Sequence, residues 1–235
     1  MSSLAQARED LVAANRILAH EGILDAYGHV SVRHPDHPDR YILSRARSPE
    51  LVEDADLYEF SLDGTPLQEM ASPAYIERYI HGAVYEARPE VMAVCHNHLI
   101  SILPFSISTG TRLRPVIHSA RALARGEVPV WDIADESGTA TDLLVRNMIQ
   151  GRSLARRLGD GMVALMRGHG SVVAGRDAQQ VVQTCVGMDK NARVQLQALQ
   201  LGGLIPLHDG ECDQSGRALS NDNRAWEYWK RRAGL

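Results

Sequence analysis

The sequence predicts a single α/β domain with helices on both faces of one sheet. Three observations carry that expectation. Segments with helical apolar spacing alternate with short apolar runs along the chain. The length, 235 residues, suits one domain, residues 1–235, of which 210–235 read as a C-terminal extension. No internal repeat or low-complexity linker divides it.

The elements follow in order. Ser3 to about Glu21 carries Leu4, Leu11, Ala14 and Leu18 at helical spacing, and Gly22 stops it. Gly28 to Arg33 alternates like a strand, with Val30 and Val32 on one face, and Tyr41 to Leu43 is a second short strand. Asp63-Gly64 is a turn signal between Leu57–Leu62 and Thr65–Leu67, which predicts a hairpin. Ser72-Pro73 supplies a cap and a first-position proline for a helix that runs to about Arg88 and ends at Pro89. The run Val91 to His98 follows as a buried strand. A helix is expected over Thr139–Leu158, then two strands, Met162–Met166 and Ser171–Ala174, joined by a Gly168-His169-Gly170 turn. Asp177 to about Leu201 is the longest helix. A final helix from about Asn221 carries Trp226, Tyr228 and Trp229, and is expected to cover the active site or a neighbouring subunit.

Composition narrows the function. Apolar residues make up 44% of the chain, and 25 basic residues against 29 acidic ones give a net charge of −4. No basic stripe points to nucleic acid. No apolar run approaches the roughly 20 residues of a membrane helix, and the N-terminus lacks the pattern of a secretory signal. Cys95, Cys185 and Cys212 are too few and too dispersed for a disulfide scaffold, which points to a reducing cytoplasm.

The most informative stretch is Val91-Met92-Ala93-Val94-Cys95-His96-Asn97-His98. On a strand, His96 and His98 leave the same face, because side chains alternate with period two. Two imidazoles on one face can share a metal ion. A catalytic metal keeps about three protein ligands and an open position. His169, in its Gly-His-Gly turn, is the candidate third ligand. Cys95 points the other way and reads as a core thiol. Three imidazoles suit Zn²⁺, Mn²⁺, Fe²⁺ or Co²⁺, and availability decides as much as affinity; Mn²⁺ or Zn²⁺ is the expected ion.

Taken together, Gly28-His29-Val30-Ser31, Glu77 with His81 four residues on, Ala87-Arg88-Pro89-Glu90, His96-Asn97-His98 and Gly168-His169-Gly170 resemble the class II aldolase/adducin family, from about residue 5 to about residue 205. The resemblance implies a three-layer αβα sandwich around a mostly antiparallel sheet. It implies a homotetramer with active sites between subunits and one divalent ion per subunit on His96, His98 and His169. It also makes Glu77 the acid/base residue. The chain departs from the sugar-phosphate members at two places. Arg45 stands in Leu43-Ser44-Arg45-Ala46-Arg47 where glycine is expected, and Tyr75-Ile76 precedes Glu77 where two serines are expected. Donors that would cradle a phosphate are gone, and guanidiniums suited to carboxylates stand near.

With these departures, the chain is similar to a branch of decarboxylases acting on dihydroxyphthalate and hydroxypyridine dicarboxylates, including the stretches Ile102-Leu103-Pro104-Phe105 and Pro129-Val130-Trp131-Asp132. The expected substrate is therefore a hydroxy-substituted aromatic or pyridine dicarboxylate of the phthalate or vitamin B6 breakdown type. His29, Ser44, Arg45 and Arg47 are the expected substrate-binding residues, and Glu77, His118 or a bound water would deliver the ring proton. An aldolase or epimerase acting on a sugar derivative is the alternative, and a non-catalytic adducin-like scaffold a second one.

Overall fold

A computed structural model describes residues 3–213 and 223–235. Among the described residues, seven strands form one sheet in the order β3-β2-β1-β4-β7-β6-β5. They are β1 (His29–Arg33), β2 (Arg40–Ser44), β3 (Leu57–Ser61), β4 (Ala93–Asn97), β5 (Val130–Trp131), β6 (Val163–Met166) and β7 (Gly170–Gly175). Every pairing is antiparallel except β5 with β6. Alternating residues feed two cores. Val30, Val32, Ile42, Cys95, Leu165 and Val173 enter one, beneath helices α1 (Ser3–His20) and α6 (Ala178–Gln200). Tyr41, Leu43, Val94, Ala164, Met166 and Val172 enter the other, beneath α2 (Arg78–Ala87) and α5 (Met148–Leu158). The expected three-layer αβα architecture with a mostly antiparallel sheet is what the chain forms. Short helices α3 (Leu103–Ile107), α4 (Ala134–Ser137) and α7 (Asp209–Asp213) lie in the connections. No helix among the described residues is long and apolar enough to cross a membrane.

Two helix starts differ from expectation. The helix read from Ser72 begins at Arg78. Ala46 N–H donates to the Pro73 carbonyl at 2.9 Å and Arg45 bridges Ala74, so an extended pairing claims the backbone that a first turn would use. The helix read from Thr139 begins at Met148, where the Asn147 side chain accepts from Gln150 N–H at 3.0 Å. Before it, Leu143 takes a φ of 68°. The start expected at Asn221 lies outside the described residues. Helix α8 (Arg224–Arg232) is described, and its Trp226 and Trp229 join the core beneath α1 and α6. Within one chain this segment is packed on its own subunit, and the expected cover over the active site is not made by it. Spacing explains this: Trp226 and Trp229 share one helix face, while Tyr228 points to solvent, 58% exposed.

Candidate metal and substrate site

The site is assembled at one end of the three central strands. His96 lies on β4 between His29 of β1 and Val172 of β7. Strand β4 ends at Asn97, whose Oδ1 accepts from Leu99 N–H at 3.3 Å and from the Ser171 hydroxyl at 3.1 Å. His98 therefore sits one residue beyond the strand, yet its Nε2 lies 3.0 Å from His96 Nε2. Two glycines deliver His169. Gly168 has a φ of 65°, which suits glycine at that turn. A Cβ on Gly170 would stand 1.9 Å from the Asn97 carbonyl oxygen, so only glycine lets β7 start this close to the histidine strand.

Glu77, at the N-terminus of α2, completes the set. Its Oε2 lies 3.2 Å from His96 Nε2 and 3.5 Å from His169 Nε2, while Oε1 accepts from Val145 N–H at 2.9 Å. Ligand atoms of Glu77, His96, His98 and His169 all fall within 4.8 Å of one another. The donor chemistry fits a cation. His96 Nδ1 meets the Ser171 carbonyl at 3.1 Å, so it carries the ring proton and Nε2 keeps its lone pair. His98 Nδ1 lies 3.0 Å from an Asp25 carboxylate oxygen, which assigns its proton the same way. Two lone pairs then face each other at 3.0 Å. That is repulsive unless a positive charge lies between them. Burial and the neighbouring His96 hold His98 below its ordinary pKa, the neutral form that a metal needs. Burial pushes the Glu77 carboxyl up, but His96 and His169 outweigh it, and it lies well below the usual carboxylate range.

A cavity of about 730 Å³ opens over this cluster. Its wall includes His29, Arg47, Tyr75, Ile76, Leu143 and Leu144, so a few polar groups stand among apolar ones. Arg47 and Arg45 separate here. Arg47 lines the cavity, and only its Nη1 is held by Asp56, at 2.8 and 3.0 Å. Arg45 gives its Nε to the same carboxylate at 2.7 Å and does not line the cavity. Burial pushes Asp56 up, but the Glu53 amide and the two guanidiniums hold it below the usual range. Tyr75 donates its hydroxyl to the Arg47 carbonyl and accepts from Arg47 N–H at 3.3 Å, so the residue standing in place of a serine pins the arginine loop. Ser44 is fully buried at the end of β2 and is not part of the cavity wall. His118 lies in another cavity, with Arg121, Lys190 and Trp229, which shares no residue with the first.

Sequence reasoning missed Asp25 and Asp56. Asp25 accepts from Tyr27 and Gly28 N–H, both at 2.9 Å, and this Asx turn three residues before Gly28 was a usable signal. Asp56 left none, because its role depends on the 3-10 turn Asp54–Asp56 beside β2.

Beneath the cavity, His29 Nδ1 meets His81 Nε2 at 2.6 Å. Burial, with His96 nearby, pushes His81 down to about 3 from 6.5. The unfolded chain takes up that proton below its own pKa, and the fold refuses it, so the native state loses stability as pH falls from 6.5 towards 3. The slope from this group is roughly 1.4 kcal/mol per pH unit. Urea midpoints measured at pH 7 and pH 5 should drop accordingly, and His81→Gln should flatten the dependence. An unchanged slope in the variant would remove His81 from the account.

A sandwich of this topology with a three-histidine, one-glutamate cluster at its sheet end defines a class, and the comparisons name it. Residues 9–196 match the model of the Class II Aldolase and Adducin N-terminal domain. The chain belongs to the class II aldolase/adducin family. It is 34% identical over 211 residues to decarboxylase tropJ of Talaromyces stipitatus, covering 85% of this chain and 79% of that one. It is 30% identical over 215 residues to 3,4-dihydroxyphthalate decarboxylase of Arthrobacter keyseri, covering 86% and 82%. Among solved structures, an aldolase II superfamily protein from Pseudomonas syringae matches with a TM-score of 0.80 at 21% identity, covering 99% of this chain and 94% of that one. L-fuculose 1-phosphate aldolase from Glaciozyma antarctica matches with a TM-score of 0.77 at 24% identity, covering 99% and 89%. These two likenesses show the shared fold.

Proposed function

We propose that this chain is a carbon–carbon lyase, a divalent-metal-dependent decarboxylase of a hydroxy-substituted aromatic or pyridine dicarboxylate, working as a homotetramer. One observation carries the reading: the histidine–glutamate cluster floors a part-apolar cavity whose rim offers Arg47, with Tyr75 where a phosphate-binding serine is expected. The decarboxylase relatives support it. Exposed Ile100 and Ile107 on the connection after His98 suit cover by a neighbouring copy.

His96, His98 and His169 would hold the ion, with Glu77 beside them as a fourth donor. Bound there, Mn²⁺ or Zn²⁺ supplies Lewis-acid polarisation of the substrate's oxygen. Arg47 grips a carboxylate through Nε and Nη2, and Asp56 keeps the guanidinium in place. Ile76, Leu143 and Leu144 exclude water from the ring. Glu77, already ionised, takes the proton of the hydroxyl ortho to the leaving carboxylate and delivers it to the ring carbon bearing that carboxylate. The ring is then a β-keto acid. Its carbon–carboxylate bond breaks, CO₂ leaves, the electron pair returns to the oxygen, and solvent reprotonates the hydroxyl.

The test is CO₂ release from 3,4-dihydroxyphthalate and from hydroxypyridine dicarboxylates, each with Mn²⁺ and with Zn²⁺. CO₂ from at least one pair is expected. Aldehyde release from sugar derivatives without CO₂ from any of these acids would replace the reading with an aldolase.

Arg47 and Arg45 are expected to differ. Arg47→Lys keeps the charge and loses the fork, so kcat/KM should fall about 10- to 100-fold, the worth of a hydrogen bond to a charged group. Arg45→Lys should change it by less than about fivefold, the worth of a solvent-touched ion pair. Equal effects in steady-state kinetics would show that the cavity wall does not separate the two.

A further inference from the structure

A row of buried polar groups runs inward from the cavity. His29 Nδ1 meets His81 Nε2 at 2.6 Å, His81 Nδ1 meets Ser31 Oγ at 2.7 Å, and Ser31 Oγ meets the Tyr85 hydroxyl at 2.8 Å. All four residues are buried. The elements bring them together for simple reasons. His29 and Ser31 leave the same face of β1, two residues apart, and His81 and Tyr85 are four apart on α2 and stack one turn over the next.

Each contact holds one proton, so the row has a direction. Burial pushes the Tyr85 phenol up, and it stays protonated. Among the described residues Ser31 Oγ is the hydrogen-bond partner within reach of this buried hydroxyl, and a buried proton without an acceptor is costly. The phenolic proton therefore goes to Ser31 Oγ. Ser31 then donates to His81 Nδ1. His81, accepting at Nδ1, carries its own proton on Nε2 and gives it to His29 Nδ1. His29, accepting at Nδ1, must carry its proton on Nε2, the ring nitrogen left for the cavity that His29 lines.

We propose that His81 is a positioning residue: through the row Tyr85–Ser31–His81 it locks His29 as the Nε2–H tautomer, which presents a neutral donor to an acceptor oxygen of the substrate. The ligand chemistry follows. A carboxylate or phenolate oxygen fits this donor, whereas a hydroxyl that needs an acceptor does not. The substrate half of this inference rests on the decarboxylase reading; the tautomer half does not.

The experiment has two arms. Histidine ¹⁵N shifts of the zinc-loaded protein read the tautomers directly. His29 and His81 should both show Nδ1 unprotonated and Nε2–H. A wild-type His29 protonated on Nδ1 overturns the proposal, whatever the protein's activity. The second arm is a double-mutant cycle with 3,4-dihydroxyphthalate as the probe. Tyr85→Phe should raise KM by about fivefold to tenfold and change kcat little, the scale of one hydrogen bond loosened at its acceptor. In a His29→Asn background, whose amide donates without help from the row, the same substitution should leave KM unchanged. An equal rise in both backgrounds would make Tyr85 merely structural and sink the relay. If the probe releases no CO₂, the decarboxylase reading fails while the tautomer arm still decides the row.

Discussion

Alanine at His96, His98 or His169 should abolish stoichiometric metal binding and bring turnover to background while the fold survives. The fold survives because the two cores are built from apolar residues on both sheet faces, and the cluster sits at one end of the sheet. Removing the imidazole of His96 or of His98 also ends the lone-pair opposition between them. Metal content after dialysis, read beside far-UV circular dichroism, checks this. Asp25→Asn should lie between these variants and wild type. It keeps an oxygen for the Tyr27 and Gly28 amides but replaces the anion that His98 Nδ1–H points at. Such a supporting group is worth about 10- to 100-fold in metal affinity. A thermal readout is independent of catalysis: an ion at 100 times its Kd stabilises the native state by about 2.7 kcal/mol, so added Zn²⁺ should raise the Tm of wild type and of none of the alanine variants. Full metal in all three alanine variants would end the assignment.

The histidines were legible because two constraints coincide in them. Period two puts His96 and His98 on one face, and an apolar strand gives them no other reason to be there. The glycines around His169 were legible as a turn, though only the packing shows that Gly170 is needed for its closeness to Asn97. What the sequence hid was long-range. Ser72-Pro73 is a sound local helix start, yet pairing of residues 73–74 with 45–46 overrides it. That same pairing carries Tyr75 to the arginine loop. Arg45 and Arg47 look alike in a loop, and only the position of Asp56 tells the one facing the cavity from the one beside it. His118 ends a short apolar run as His96 nearly does, but its chain segment packs against α6, and one chain does not bring it to Glu77.

Glu77→Gln should lower kcat by about 10²- to 10⁴-fold, the usual worth of a positioned acid or base. The stability cost should be small. Glutamine keeps an oxygen for Val145 N–H, and the exchange removes a buried charge without changing volume. Glu77 also lies within the metal cluster, so a fall in activity alone does not identify its role. Two measurements do. If Glu77 acts only as a ligand, saturating metal should restore kcat in the variant; if it carries the proton, the loss persists with the site full. The second is exchange without CO₂. An enzyme whose Glu77 moves a proton between the hydroxyl and the ring carbon should exchange the ring proton of its product with D₂O, and Glu77→Gln should not. In this cycle an ionised Glu77 enters as the acceptor of the hydroxyl proton and becomes the acid only after taking it. Full kcat at saturating metal together with undiminished exchange would move the proton transfer to another group.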